Sequence, residues 1–383
     1  AYAVTSYHFH RLLQRPKEII LLSVIASESG KSKEESRFIQ QLRLEWPKIN
    51  SKLVWKEYTV SPQFERNEKI GLPIIEIEKS YVVLDKIKFF LTKRGLSPSS
   101  FSNLIDCTLK FYWSNVLGVR EDKKEEEEIG NDSFGVWVHK VLENGNKELI
   151  EKGSSYSKEW FLDRIQNIES HMRIALNDIK REYGSFDVER GFNFVLGELA
   201  KKTLVNYYQI ESQKTNFSKP IAAEISLDFK KKFEIGGEVL DIIFKGFVDL
   251  IDLLGTEIRI LDYKTGAMDT KDLESKDDQF KPKVFQLQQY YILLEESIKE
   301  EKIESLKSLV GKEYKITPGI ISTRKPNSGI FKMNESDEFF NQENFLNKIK
   351  DHIMDLLDDQ ISISQTQDSS VCTYCSFIKI CNK

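Results

Sequence analysis

The fold is decided by one stretch of sequence, residues 246–266, which reads GFVDLIDLLGTEIRILDYKTG. Apolar and polar residues alternate on both sides of Gly255-Thr256, which is typical of two β-strands joined by a two-residue turn. Gly at the first turn position favours a type II′ turn. In that register Asp249 faces Asp262 across the two strands, and Lys264 points to the same side as Asp262.

Two carboxylates that face each other on an apolar sheet are destabilising unless their charge is compensated. A divalent cation would compensate it, and carboxylate oxygens with room for water suit Mg²⁺ or Mn²⁺. Such an ion can activate water and neutralise charge on a phosphate. Lys264 would then orient the water or stabilise a pentacoordinate phosphorane. The alternative is an ordinary hairpin with a surface Asp–Lys pair.

Outward from this stretch the pattern predicts helices on the amino-terminal side and alternating elements on the other side. The expected helices are Phe101–Val119, a helix from Asp132-Ser133 through His139 to Lys152, further helices to about Gln213, then Val284–Ile298 and Glu335–Asp358. The other expected strands are Ile221–Phe229, Glu238–Leu250 and Gly319–Thr323. This order predicts an α/β fold with a mixed central β-sheet flanked by helices.

The first 95 residues form a separate segment in this interpretation. A β-like apolar run, Glu18–Ala26, precedes helical periodicity over Glu35–Trp46, so we expect a small α/β segment. The charged run EDKKEEEE at 121–128 is expected to be a connecting loop. Because the chain lacks a starting Met, we expect it to be a piece of a longer polypeptide.

Composition restricts the class of protein. The sequence is 40% hydrophobic and 30% charged, with a net charge of −4. It contains neither an apolar run long enough for a membrane span nor a secretory signal, so we expect a cytoplasmic protein without a membrane partner. The negative charge disfavours nucleic-acid binding through bulk positive potential, but not an enzyme whose bound cation meets the phosphate.

The chain has four cysteines, of which Cys372, Cys375 and Cys381 lie at the carboxyl terminus. Two residues between thiolates allow one loop to present both to a single metal centre. Cys107 would complete a four-thiolate site holding zinc or a cluster, and free thiols are the remaining interpretation. We see little else in the sequence to hold the Cys107 helix against the carboxyl-terminal loop.

Four motifs together resemble one family. They are Gly135-x-x-x-His139, Gly246-x-x-Asp249, Asp262-Tyr-Lys264-Thr-Gly and Gln286-Leu-Gln-x-Tyr290. The set is similar to the RecB/AddB-type branch of the PD-(D/E)XK nucleases, which have a restriction-endonuclease-like core.

That resemblance implies that His139, Asp249 and Asp262 ligate Mg²⁺, that Lys264 is catalytic, and that Gln286 and Tyr290 line the site from a helix. Glu224 is a weaker candidate for a further acidic member. The alternative for His139 is a buried helix histidine paired with Glu143.

The cysteine pattern resembles the same family. Cys107-Thr-Leu-Lys-Phe-Tyr is similar to the family's Cys-Pro-x-x-Phe-Tyr, with Thr108 in place of the proline. The resemblance implies that Cys107, Cys372, Cys375 and Cys381 hold a 4Fe-4S cluster, with zinc as the alternative. It covers residues 96–383, and residues 1–95 resemble the tail of a helicase-like region.

The resemblance therefore implies an Mg²⁺-dependent DNA nuclease, an exodeoxyribonuclease, that processes DNA ends in recombinational repair beside a helicase–nuclease partner subunit. A catalytically inactive DNA-binding scaffold is one alternative, although the intact Asp262-x-Lys264 disfavours it. A stand-alone CRISPR-type exonuclease is the other, and the amino-terminal segment disfavours that.

Overall fold

A computed structural model of the chain describes residues 2–22, 35–50, 52, 54–58, 74–120, 129–183, 187–273, 281–301, 304–311, 313–333 and 340–381. The chain divides into two compact units, Ala1–Ile70 and Gly71–Lys383. The second unit thus begins before the boundary expected between residues 95 and 96.

The described part of the first unit contains two helices, α1 (Tyr2–Leu12) and α2 (Arg37–Ile49). The rings of Phe9 and Phe38 stack with their centroids 5.0 Å apart. The helix expected over 35–46 is confirmed. Of the strand expected over 18–26, residues 18–22 have no regular structure and the rest lies outside the described residues, as does the charged run 121–128.

The second unit contains ten helices of the α type in its described residues. They are α3 (Tyr81–Phe89), α4 (Pro98–Asp106), α5 (Thr108–Phe111), α6 (Asn131–Glu151), α7 (Lys158–Gln166), α8 (Ile168–Tyr183), α9 (Gly191–Ser212), α10 (Pro282–Lys299), α11 (Gln342–Leu357) and α12 (Ser369–Cys372). The strands of the same residues are β1 (Glu76–Ile77), β2 (Lys219–Ile235), β3 (Glu238–Leu254), β4 (Glu257–Lys264), β5 (Lys315–Ser322), β6 (Ile330–Lys332) and β7 (Ile363–Ser364).

The centre of the unit is a five-stranded mixed sheet in the order β2-β3-β4-β5-β6. All neighbours are antiparallel except β4 and β5, which run parallel and are connected through α10. A parallel pair needs such a crossover, whereas antiparallel pairs close through short turns. The predicted mixed α/β fold is confirmed.

The predicted hairpin register is confirmed where β3 and β4 pair. Leu254 faces Glu257 across the turn, and the paired residues continue to Leu250 and Leu261. Gly255 has a φ of 63°, as the first position of a type II′ turn requires. Regular pairing of β3 with β4 ends at Leu250 and Leu261, one position before Asp249.

Helices cover both faces of the sheet and enclose two large apolar cores. On one face α6 to α9 pack against Leu250, Leu261 and Tyr263. On the other face α3, α4, α5, α10 and α11 pack against Ile251 and Ile260. None of the helices in the described ranges is both long and apolar enough to cross a bilayer.

Three predicted helices differ from the structure, and one of them, expected from Glu335, begins only at Gln342 as α11. The helix expected over 101–119 is interrupted at Cys107, whose extended backbone (φ −165°, ψ 113°) ends α4 and begins α5, and a π-helical turn follows over Tyr112–Val116. The cap of α6 is Gly130 rather than Asp132-Ser133, so Asp132 lies inside the first turn. Helix α4 begins with a capping box, in which the Ser97 side chain accepts from the Ser100 N–H, and Pro98 follows as the first helical residue.

Candidate active site

Three side chains from three different elements converge beside the sheet. His139 comes from α6, Glu224 from β2 and Asp249 from β3, and their ligand atoms all lie within 4.8 Å of one another. His139 Nδ1 is 3.4 Å from Asp249 Oδ2. All three residues line an open pocket of about 480 Å³. One imidazole and two carboxylates form a donor set that suits a divalent cation such as Mg²⁺ or Mn²⁺.

We call His139, Glu224 and Asp249 the acidic cluster. The electrostatics of this cluster also favour a bound cation. Burial, and then the neighbouring charge of Asp262, raise the pKa of Asp249 well above its usual range. Burial and then Glu143 raise the pKa of Glu224 to about 7. Burial lowers the pKa of His139, which keeps the imidazole neutral, as a metal ligand must be. A bound cation would offset the repulsion between the carboxylates.

Glu224 reaches the cluster through an irregularity in β2. The pairs Ala223–Leu250 and Ile225–Val248 are regular, but Glu224, opposite Asp249 between them, has a φ of 52°. A non-glycine residue in this region costs of order 1 kcal/mol, and such strain concentrates at functional sites. The sequence marks Glu224 only weakly as a site residue, because nothing in an alternating strand pattern reveals a left-handed residue.

Asp262 and Lys264 lie next to the cluster at the end of β4. Lys264 Nζ is 2.7 Å from Asp262 Oδ2, although that buried oxygen lacks a partner with hydrogen-bond geometry. The Tyr263 backbone N–H donates to Asp249 Oδ2 over 2.7 Å. The Asp249 carboxylate therefore takes the place of a ladder bond, and this holds β3 and β4 together where regular pairing ends.

The two predicted residues of α10 form a hydrogen-bonded chain to Asp262. Gln286 Nε2 donates to Asp262 Oδ1 over 2.8 Å and also to the Tyr290 hydroxyl over 3.0 Å. The Tyr290 hydroxyl donates to the Phe247 carbonyl over 2.6 Å. A Cβ at Gly246 would lie 2.8 Å from the Tyr290 ring, so glycine is what allows α10 to approach the sheet this closely.

The alternative partner expected for His139 does not pair with it. Glu143 instead binds Lys140 at 2.8 Å and Lys147 at 2.6 Å, while His139 faces Asp249. Glu143 still lines the same pocket, together with Lys140 and Thr265. Lys140 was not predicted to lie at the site, and Glu143 was considered only as a partner of His139, because charged residues at helical spacing resemble a solvated helix face.

The four cysteines line one pocket, which shares no lining residue with the pocket of the acidic cluster. Each is half-buried, and the Lys110 N–H donates to Cys107 Sγ over 3.4 Å at the start of α5. The rings of Trp113 and Phe377 meet edge to face beside them, with centroids 5.2 Å apart. Thiolates accept such N–H bonds better than thiols do, so the surroundings of Cys107 suit a metal ligand.

The expectation that little else holds these two ends together was wrong. The Thr108 hydroxyl donates to the Ser364 carbonyl over 2.9 Å and accepts from the Ser364 N–H over 3.0 Å, across 256 residues of sequence. Strands β1 and β7 pair close by, and buried Lys79 donates to the carbonyls of Asp355 and Asp358. Thr108, where the resembling motif has proline, therefore forms a contact that proline has no hydroxyl to make.

The mixed sheet thus brings the Asp262-x-Lys264 motif beside the acidic cluster. A sequence profile of the PD-(D/E)XK nuclease superfamily matches residues 95–382, and the chain belongs to this superfamily. Members of the superfamily are generally nucleases.

The similarity of this chain to individual proteins is more limited than its match to the superfamily profile. The chain is 27% identical over 177 residues to an uncharacterized protein of Rickettsia felis and 28% identical over 177 residues to one of Rickettsia bellii. Each match covers 46% of this chain and only 19% of the relative. A solved structure, the crystal structure of SSO0001, has 15% identity and a TM-score of 0.22, covering 63% of this chain and 95% of its own.

Proposed function

We propose that this protein is a metal-dependent deoxyribonuclease that hydrolyses phosphodiester bonds. The observation that carries the proposal is the juxtaposition of the acidic cluster with Asp262 and Lys264. DNA is the proposed substrate, since a cation held by carboxylates at an open pocket is suited to meet a phosphate.

Each residue has a role in this proposal. His139, Glu224 and Asp249, with Asp262 beside them, would hold Mg²⁺ or Mn²⁺, which when bound supplies an acidic water and neutralises phosphate charge. The Lys264 ammonium faces the same site and stabilises negative charge that develops on the phosphoryl oxygens. Gln286 holds the Asp262 carboxylate in one orientation, and Tyr290 fixes Gln286 in turn.

We further propose an exonuclease of the RecB/AddB type that processes DNA ends in recombinational repair, beside a helicase–nuclease partner subunit in the cytoplasm. The four motifs support this assignment, and the uncharacterized relatives are several times longer than the matched segment, as a protein that also contains a helicase region would be. In this proposal residues 1–95 are the tail of a helicase-like region and residues 96–383 are the nuclease domain.

We also propose that Cys107, Cys372, Cys375 and Cys381 hold a 4Fe-4S cluster. Their shared pocket and the N–H bond to Cys107 support a four-thiolate centre. Anaerobically purified protein should then be brown and contain about four irons per chain. A colourless protein with one zinc per chain would replace the cluster with zinc and keep the centre.

The nuclease proposal is tested with end-labelled linear and closed circular DNA, in Mg²⁺, Mn²⁺ or EDTA. The wild-type protein should degrade linear DNA with either ion and not with EDTA. Lys264→Ala should slow cleavage by on the order of 10³-fold, because charge stabilisation in the transition state is lost.

The matched control is Lys283→Ala. Lys283 is as exposed as Lys264 (35% and 36%) and also pairs with an aspartate, Asp272, but neither of these two residues belongs to the proposed site. The Lys283→Ala variant should cleave linear DNA at the wild-type rate. Cleavage by Lys264→Ala at that rate would refute the site, and DNA binding without cleavage by the wild-type protein would favour the scaffold alternative.

A further inference from the structure

The β2–β3 hairpin continues beyond the acidic cluster, and its next outward-facing pair carries an exposed aromatic ring. Glu224 lies opposite Asp249, and Ser226 pairs with Phe247 two residues further along each strand. Val248 packs into the core on the α10 face, so Phe247 projects from the opposite face of the hairpin, on which α6 brings His139 to Asp249, at about 7 Å from Asp249 along the strand.

The ring of Phe247 is uncovered while its neighbours on the opposite face are buried. Phe247 is 54% exposed, whereas Leu240, Phe244 and Val248 are at most 7% exposed. Ser226, across the strand, is too small to cover an aromatic ring. Single exposed aromatic residues are common on protein surfaces, so the position of this ring beside the acidic cluster matters more than its exposure.

The backbone that carries the ring is fixed by the network that orients Asp262. The Phe247 carbonyl accepts the Tyr290 hydroxyl, and Tyr290 in turn accepts from Gln286, which holds Asp262. Gly246 packs directly against α10. A ring held on such a support loses little conformational freedom when a ligand stacks on it.

We propose that Phe247 stacks on the nucleobase next to the scissile phosphate, so that the site takes an unpaired strand: single-stranded DNA or a frayed end. This inference rests on the proposed nuclease function. In a duplex both faces of each base are covered by neighbouring bases, so the base must leave the stack to contact Phe247. Every base has a π-face, and the contact therefore imposes no sequence preference.

The test is cleavage of a single-stranded oligonucleotide in which one abasic site is moved stepwise along the strand. For the wild-type protein, the bond beside the abasic site should be cut roughly tenfold more slowly than in the intact strand. Phe247→Ala should cut the intact strand roughly tenfold more slowly and lose nothing further at the abasic site. Phe247→Trp, which keeps an aromatic face, should restore both the rate and the abasic effect.

Two variants serve as controls. Phe89→Ala removes a ring of equal exposure (55%) from α3, and Val239→Ala removes an exposed apolar side chain from the same hairpin. Both should behave as the wild-type protein does. If Phe247→Ala cuts single strands at the wild-type rate, or shows the full abasic effect, stacking is refuted while the nuclease proposal stands. Equal wild-type rates on blunt duplexes and single strands refute it too, and a wild-type protein that cuts no DNA refutes both proposals.

Discussion

The acidic cluster and the cysteine pocket belong to one unit but are built in opposite ways. The carboxylates of the cluster lie on neighbouring strands, so short-range register brings Asp249 beside Asp262 and Glu224. The cysteine pocket instead joins segments from the two ends of the domain, as the bonds between Thr108 and Ser364 across 256 residues show.

The two regions also differ in what they contribute to stability. The cluster contains buried carboxyl groups close to one another and a residue at positive φ, and both features destabilise the fold. The cysteine pocket contains no group that the proposed reaction uses, and its contacts connect distant parts of the chain. We therefore expect variants of the cluster to lose activity without losing stability, and variants of the pocket to do the reverse.

Cys107→Ser should have the largest effect on stability. If a metal centre links Cys107 to the carboxyl-terminal cysteines, losing one ligand frees a very long loop in the unfolded chain. By analogy with a disulfide, the free energy of unfolding should fall by about 4 kcal/mol. Urea unfolding measures this, and cleavage per folded molecule should change little.

Thr373→Ala is the matched control for that variant. Thr373 lies between Cys372 and Cys375 and is exposed, so its loss should leave the unfolding midpoint unchanged. If Cys107→Ser unfolds at the same urea concentration as Thr373→Ala, the cysteines do not share a metal centre and the contrast between the two regions disappears.

His139→Ala tests the other side of the comparison. Loss of one ligand should raise the Mg²⁺ concentration for half-maximal cleavage by about tenfold or more, while the urea midpoint stays near that of the wild-type protein. His352→Ala, which removes an exposed histidine from α11, provides the control. An unchanged Mg²⁺ titration would mean that His139 is not a metal ligand and only packs as part of α6.

The sequence predicted what short-range patterns determine. Alternation over residues 246–266 gave both strands, the turn at Gly255 and the position of Lys264, because strand period and turn chemistry are local. The left-handed conformation of Glu224 and the break at Cys107 escaped prediction. Both depend on tertiary partners, which propensity along the chain does not reveal.

Thr108 shows the same limit and offers a smaller test. Thr108→Val keeps the shape of the side chain but removes two hydrogen bonds with the Ser364 backbone, so the free energy of unfolding should fall by about 1 kcal/mol. Thr92→Val is the control, since the Thr92 hydroxyl bonds only within its own helical segment, to Lys88. Equal losses for the two variants would mean that the connection between the ends of the domain adds nothing beyond a local bond.

The smallest expected effect is a gain in stability at the cluster. Asp249→Asn removes a buried charge that faces Asp262, so in EDTA the free energy of unfolding should rise by about 0.5 kcal/mol. The pKa of Asp249 is raised in the folded protein by burial and by Asp262, so the folded state binds protons that the unfolded state has released. The stability of the metal-free protein should therefore fall as pH rises above the usual carboxyl range, and this decrease should be weaker in Asp249→Asn.

Urea unfolding in EDTA at pH 5 and pH 8 separates this effect from a general change in charge. Asp241→Asn, at an exposed position of the same strand, retains Asp249 and should therefore show the wild-type decrease between the two pH values. Mg²⁺ should stabilise the wild-type protein more than Asp249→Asn, because a ligand that binds only the folded state adds to stability. If Asp249→Asn is less stable than the wild-type protein in EDTA, the bond from the Tyr263 N–H outweighs the repulsion. The cluster would then support the fold as the cysteine pocket does.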